Sequence, residues 1–256
     1  MNLESRSRRR LCGLIWIGAL TISPALPDIV DVSVNGSVSG SGSVTVACAL
    51  STPGCMAVPP FGFFITVPYN FSATNTSLGS FSDSGSASGE PSFPATVSSF
   101  ATQDTSATSQ ELDIVLTGGH SATSAPSYTA SETDNISVSF ELTEPSIVEL
   151  AGGGFGIGPV VGELLDSNGN VILTVSSPVP EFGELGPGTY QLRAAASGGG
   201  FGAFASDVST TDFDFSLDGS FTPIPEPRGA IFAAMFAIVL GGIALSRRRR
   251  TSKAAC

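Results

Sequence analysis

The chain has 256 residues, of which 41% are hydrophobic and 13% are charged, and its formal net charge is −11. Residues 26–222 carry 20 of the 22 acidic side chains and a single basic side chain, Arg193, so this region has a formal charge of −19. A surface this acidic repels nucleic acid and anionic lipid, which argues against a function in binding DNA or RNA. The region is long enough for one large domain or two small ones.

The first 25 residues have the layout of a signal peptide. Arginines at positions 6, 8, 9 and 10 precede a largely apolar run over residues 11–22, and Ser23-Pro24-Ala25 supplies the small residues that a signal peptidase reads. Because the run is too short to span a bilayer, we predict a signal peptide cut after Ala25 and export by the general secretory route. Residues 7–11, Ser-Arg-Arg-Arg-Leu, also partly resemble a twin-arginine signal, which would export a folded chain.

Residues 26–222 alternate apolar and polar side chains as β-strands do. Apolar residues at every second position place one face of a strand in a core and the other in water. Clusters of Gly, Ser, Pro and Asn separate the runs at short intervals, which favours a β-sandwich over an α/β fold. We therefore predict an all-β, jelly-roll-like β-sandwich ectodomain with an N-terminal signal helix and one C-terminal transmembrane helix. The alternating sets are Val30/Val32/Val34, Leu112/Ile114/Leu116, Ile136/Val138/Phe140/Leu142, Val171/Leu173/Val175, Tyr190/Leu192/Ala194 and Phe213/Phe215/Leu217.

Three stretches rich in small polar residues interrupt this pattern. Residues 35–43 fit either a linker or a hairpin, and the apolar positions Val38 and Val44 favour the hairpin. Residues 78–94 and 101–110 consist mostly of Ser, Thr, Gly and Ala, which predicts two long loops.

Cys48 and Cys55 are the two cysteines between the predicted signal peptide and the C-terminal tail. They flank the turn-rich segment Ala-Leu-Ser-Thr-Pro-Gly. An oxidising compartment would let them close a small loop as a disulfide, and the alternative is a pair of reduced thiols.

His120 is the only histidine of the chain and stands in Gly118-Gly-His-Ser. A single histidine cannot build a multi-histidine zinc site, and the chain has no HExxH or paired CxxC pattern. It could activate a serine, but no Gly-x-Ser-x-Gly elbow is present. We therefore predict that His120 is a solvated loop residue. The chain is predicted to have no catalytic residue, no metal site and no cofactor.

Two acidic groups allow a calcium site. Residues 166–170, Asp-Ser-Asn-Gly-Asn, space oxygen ligands as a calcium loop does, but position twelve of such a loop would be Ser177 instead of Glu. Asn168-Gly169 between two apolar runs is a strong hairpin signal, so a turn is favoured. Asp212, Asp214 and Asp218 are predicted to share the solvent face of a strand, where they serve either calcium or solubility.

Gly152-Gly-Gly-Phe155-Gly and Gly198-Gly-Gly-Phe201-Gly are near-copies of each other. Phosphate-binding loops place glycines before a helix and commonly supply a lysine, and neither condition is met here. Two flexible loops at one end of the sandwich are predicted, and exposed Phe155 and Phe201 would form a contact patch on them.

The C-terminal segment has the parts of a membrane anchor. Residues 229–245 carry no charge, and as a helix they cover about 25 Å, the short end of a membrane span. The span would be stopped on the cytoplasmic side by Arg247, Arg248, Arg249 and Arg250, which places the residues before Pro225 outside.

Pro225-Glu226-Pro227, a short apolar helix and a terminal arginine cluster together resemble the PEP-CTERM sorting signal of bacterial surface proteins. The resemblance implies export, brief retention by the helix, and cleavage near Pro225, Glu226 and Pro227 by an exosortase-type membrane transpeptidase. Arg228 stands where the family pattern continues with Ser or Thr, and residues 251–256 extend past the arginines. The alternative is an ordinary tail anchor with a proline-rich spacer.

Residues 136–221 resemble the noncatalytic β-sandwich modules known as bacterial pre-peptidase C-terminal domains. The resembling segments are 140–150, 164–171, 185–192 and 213–217, whereas the glycine-rich segment 152–162 is longer than the pattern. The resemblance implies a fold and no binding residue.

The sequence thus predicts a signal peptide (1–25), a β-sandwich ectodomain (26–222), a sorting and anchor segment (223–250) and a cytoplasmic tail (251–256). The predicted protein is not an enzyme. It is exported and held at the cell surface or periplasmic side, or released into the extracellular matrix, where the resemblance implies association with exopolysaccharide or biofilm. Its expected partners are the secretion machinery, an exosortase-type enzyme and the membrane, with no nucleic acid. The alternative function is a carbohydrate-binding surface module that uses Phe155 and Phe201.

Overall fold

The computed structural model describes residues 29–49, 51–58, 62–89, 94–175 and 179–224, together with three helical residues at positions 235, 237 and 238. The described part is almost entirely β-structure in one antiparallel sheet of eleven strands, so the all-β prediction is confirmed. The strands are β1 (Ile29–Ala47), β2 (Met56–Val58), β3 (Gly62–Asn75), β4 (Phe81–Ser88), β5 (Thr96–Ala107), β6 (Glu111–Leu142), β7 (Ser146–Gly156), β8 (Val160–Asp166), β9 (Val171–Val175), β10 (Glu181–Leu185) and β11 (Gly188–Pro223).

A ribbon of the two longest strands, β6 and β11, organises the sheet. β6 has 32 residues and β11 has 36, and they pair along almost their whole length. One half of the ribbon, with residues 127–142 of β6, is flanked by β1, β3 and β2 on one side and by β8 and β9 on the other. The other half is flanked by β5 and β4 and by β7 and β10.

The ribbon bends where its two halves meet. Ser124 and Phe204 both have positive φ angles, 52° and 56°, and the pairing skips a residue on each side of Ala125 and Ala205. The bend folds the sheet over, so that β1 and β3 contact β4 and β5 without hydrogen-bonded pairing. Tyr69 of β3 and Ser99 of β5 hydrogen-bond across this gap, with 2.7 Å between their hydroxyl oxygens. We call the two facing halves the layers of the sheet.

The core lies between the layers and contains most of the predicted alternating residues, although Val171 is 50% exposed. Phe140 packs edge-on against Phe221 with 5.2 Å between ring centroids. Each Å² of apolar surface that is buried stabilises the fold by about 25 cal/mol, so this core is the main source of stability. Predicted positions that are fully buried include Leu112, Ile114, Leu116, Ile136, Val138, Phe140, Leu142, Leu192, Ala194, Phe213, Phe215 and Leu217.

Two of the predicted irregular regions are strands instead. The hairpin predicted at residues 35–43 is wrong, because β1 runs through it and pairs with β3 and β6 on its two sides. Its glycines make no turn; Gly40 and Gly42 leave room for the rings of Phe71 and Tyr69, which lie within 2.6 Å of where a Cβ would stand.

The long loops predicted at residues 78–94 and 101–110 are also wrong, since they contain β4 and most of β5. On β5 the buried face includes Ser99, Gln103 and Thr105. Polar residues on the inward face hide the alternation that marks a strand.

The predicted signal peptide, the Pro-Glu-Pro motif and the arginine cluster at 247–250 lie outside the described residues. In the portion that is described, no helix is long and apolar enough to cross a membrane. Residues Ala25–Ile224 form one compact unit.

Candidate functional site: a buried polar cluster

Three ionisable side chains lie together in the interior of this acidic domain. His120 and Glu132 belong to β6 and Asp212 belongs to β11, and none of them is more than 3% exposed. Each offers a nitrogen or carboxylate oxygen that lies within 4.8 Å of those of the other two. We call His120, Glu132 and Asp212 the buried triad.

The strands place His120 and Glu132 by simple alternation. On β6 the inward face runs Leu112, Ile114, Leu116, and two further steps of two reach His120. On the other side of the bend, the inward face of Ile136 and Val138 extends back to Glu132. The bend between them brings the two inward faces together.

A β-bulge places Asp212. The register between β11 and β6 shifts between Thr211 and Phe213, so Asp212 is an extra residue on β11. Because a bulge turns two successive side chains to one side, Asp212 and Phe213 are both buried. The prediction that Asp212 shares a solvent face with Asp214 and Asp218 is therefore wrong for Asp212, whereas Asp214 and Asp218 are exposed.

His120 is held by hydrogen bonds inside the core, so the predicted solvated loop position is wrong. Its Nδ1 and Oδ2 of Asp212 share a hydrogen bond with 2.5 Å between the two atoms. The Tyr128 hydroxyl lies 3.4 Å from Nε2, and the Thr210 hydroxyl donates to Oδ1 of Asp212 over 3.1 Å. Asp212 therefore has both a partner for its charge and a fixed orientation.

Glu132 has no such partner. Neither of its carboxyl oxygens forms a hydrogen bond with any residue that the structure describes, although the side chain is 1% exposed. Burial raises the pKa of Glu132 to about 8; the nearby Asp212 carboxyl adds to this rise and the nearby Ser99 hydroxyl opposes it. A buried carboxyl without a partner is costly and therefore calls for an explanation.

The second glycine repeat makes room for the triad. Gly198 and Gly200 lie inside β11 instead of in the predicted flexible loop, and the first repeat lies in β7. A Cβ on Gly200 would stand 2.2 Å from Cε1 of His120, and one on Gly198 would stand 2.4 Å from Cβ of Asp212. The glycines at these two positions are therefore steric requirements of the buried side chains.

A second buried carboxyl, Asp134, lies one inward position along β6. Nε2 of Gln103 donates to its Oδ1 over 2.5 Å and also to the backbone oxygen of Asn135, and Asn75 donates to Oε1 of Gln103 over 3.4 Å. Burial raises the pKa of Asp134 to about 7, and the bond from Gln103 lowers it in part. No residue of this group belongs to the triad.

The triad combines one imidazole and two carboxylates, a ligand set that suits a divalent transition-metal ion. All three side chains are enclosed, so a substrate has no direct access to them. This arrangement therefore does not support hydrolysis by a serine or threonine that His120 activates.

The remaining predicted site residues lie elsewhere. Cys48 and Cys55 form a disulfide, with 1.98 Å between their sulfur atoms, in the connection between β1 and β2. Asp166 forms the predicted hairpin turn: its Oδ1 accepts hydrogen bonds from the backbone N–H groups of Asn168 and Asn170, both 2.8 Å long. The side-chain amide of Asn170, which donates to Oδ2 over 2.8 Å, lowers the pKa of the Asp166 carboxyl most, and the backbone bonds add to the effect.

Aromatic side chains on β7 and β11 are exposed. Phe155 is 54% exposed and Phe201 is 87% exposed, and Phe204 at the bend is 84% exposed. They lie in strands instead of in loops, and Phe204 was not predicted from the sequence.

Comparison of the chain with protein-family models, curated proteins and solved structures finds no match.

Proposed function

We propose that this chain is an exported bacterial surface protein, a noncatalytic β-domain that is delivered by a PEP-CTERM-type signal and cut from its C-terminal segment. The sheet, folded over into two layers, serves in this proposal as a jelly-roll-like β-sandwich ectodomain. Its formal charge of −19 over residues 26–222 suits a hydrated matrix such as exopolysaccharide.

One observation supports this proposal more than any other. The compact unit ends at Ile224, whose backbone N–H donates to the carbonyl oxygen of Pro145 over 2.9 Å, and the Pro-Glu-Pro motif begins at the next residue. Cleavage near the motif would therefore leave every strand of the sheet in place. A released domain needs this property, whereas a spacer with no processing role has no need to start where the sheet ends.

The test follows the chain in an exosortase-containing bacterial host by intact mass and cell fractionation. Wild-type protein is expected to lose residues 229–256 after export and to leave the membrane fraction. Replacing Pro225, Glu226 and Pro227 by alanine should keep the full C-terminal segment in the membrane. Pro223→Ala, at the last residue of β11, is the matched control and should be processed normally. Retention of the segment in wild-type protein would refute the proposed sorting.

Exposed aromatic residues support a second candidate function, carbohydrate binding. Aromatic faces stack on sugar rings, and Phe201 and Phe204 leave most of their surface to solvent. Phe201→Ala combined with Phe204→Ala is expected to weaken binding to immobilised host exopolysaccharide by about 30-fold, if each ring contributes near 1 kcal/mol. Phe182→Ala on β10, a residue 60% exposed, is the matched control. Equal retention of all variants would count against this function.

A further inference from the structure

We infer that the buried triad is a binding site for a divalent transition-metal ion, with His120, Glu132 and Asp212 as ligands. This inference is independent of the sorting proposal, because it concerns the interior of the domain.

Charge balance is the first argument. Because metal ligands bind in their deprotonated forms, the bound triad would hold two carboxylates and a neutral imidazole, and a divalent cation would cancel their charge of −2. The basic residue that could otherwise compensate them is Arg193, the only one in residues 26–222, and it pairs with Glu163 at 3.6 Å with its side chain 53% exposed. His120 is hydrogen-bonded to Asp212, whereas Glu132 has no hydrogen-bond partner among the described residues.

The unpartnered carboxyl is the second argument. Both oxygens of Glu132 lack hydrogen-bond partners among the described residues, and one of them lies within 4.8 Å of ligand atoms of His120 and Asp212. Buried charges in proteins are either paired or coordinate metals. A metal ion among the three side chains would give Glu132 a partner and would take the place of the proton between Nδ1 of His120 and Asp212.

The donor set decides which class of ion fits. Calcium and magnesium prefer oxygen ligands throughout, whereas an imidazole nitrogen suits zinc, copper, iron and nickel. Imidazole nitrogen and carboxylate oxygen are both zinc ligands, and the triad offers one of the former and two of the latter. We therefore expect zinc to be the strongest-binding common ion apart from copper.

The enclosure of the site sets the form of the experiment. Because the ligands are buried, an ion should enter as the chain folds and exchange slowly afterwards. The full-length chain is therefore unfolded in guanidinium chloride without reductant, then refolded with zinc chloride or with EDTA, and its bound zinc is counted by mass spectrometry. We expect about one zinc per chain.

A ligand variant and a matched control locate the ion. Glu132→Gln keeps the size of the side chain but removes its charge, and should lower zinc affinity by at least about 100-fold. Asp134→Asn changes the neighbouring buried carboxyl, which is not a ligand, and should bind zinc like the wild type. Zinc that binds equally to both variants would overturn the assignment.

The single histidine supplies a second measurement that does not depend on any variant. One imidazole gives one set of ring signals in a ¹H–¹⁵N spectrum, so these signals report on His120 alone. Zinc is expected to shift one ring nitrogen strongly in the refolded wild-type chain. A folded wild-type chain with no bound zinc, or with zinc and unchanged ring signals, would show that a proton instead of a metal ion neutralises Glu132.

Discussion

Gly200→Ala is expected to lower the free energy of unfolding by about 3 kcal/mol, at the upper end of the range for overpacked cores. The new Cβ would stand 2.2 Å from Cε1 and 2.5 Å from Nε2 of His120. The ring cannot move aside freely, since its Nδ1 is bonded to Asp212 and the Tyr128 ring lies 5.5 Å away. Chemical denaturation of the purified chain measures the effect.

Two comparisons separate this clash from a general effect of replacing glycine. Gly186→Ala introduces a Cβ that meets no atom within 4 Å, and its stability should stay within about 0.5 kcal/mol of wild type. In a double-mutant cycle, His120→Ala should remove most of the cost of Gly200→Ala, because the ring that the methyl group meets is gone. If the two costs simply add, the proposed contact between Gly200 and His120 is not the cause.

Hydrophobic alternation predicted the strands whose inward faces are apolar and missed those whose inward faces are polar. Leu112 to Leu116 and Ile136 to Leu142 were found because every second residue is a large hydrophobe. β5 escaped detection because Ser99 and Gln103 occupy core positions on it. The glycines of β1 led to the wrong prediction of a hairpin, because they accommodate aromatic rings from β3 instead of forming a turn.

Only part of the buried triad could be predicted from the sequence. Continuing the alternation of Leu112, Ile114 and Leu116 by two steps places His120 on the inward face. Extending that of Ile136 and Val138 backwards by two steps places Glu132 there. Asp212 could not be found in this way, because the bulge beside it shifts the alternation of β11 by one residue. The three side chains lie together because the ribbon bends near Ser124 and Phe204. Hydrophobic periodicity does not predict such a bend.

Asp134 makes the stability of the domain depend on pH in a direction opposite to that of most paired carboxylates. Its pKa is raised to about 7 in the folded protein from 3.8, and burial is the main cause. The folded chain therefore holds a proton that the unfolded chain has already released. The stability that this proton contributes is fully present below the unfolded pKa and is lost as the pH rises through the folded pKa.

Between pH 5 and pH 9 the wild-type chain is expected to lose about 3 kcal/mol more than Asp134→Asn, since asparagine mimics the neutral carboxyl at every pH. Denaturation at both pH values, with EDTA present, gives the four free energies of unfolding. The difference between the two proteins cancels the contributions of other ionisable groups, including the overall acidic charge. Asp104→Asn, an exposed change on the opposite face of β5, should leave the wild-type pH dependence intact. Parallel profiles for wild type and Asp134→Asn would mean that Asp134 is ionised in the folded protein at neutral pH, with Gln103 supplying enough hydrogen bonding to hold the charge.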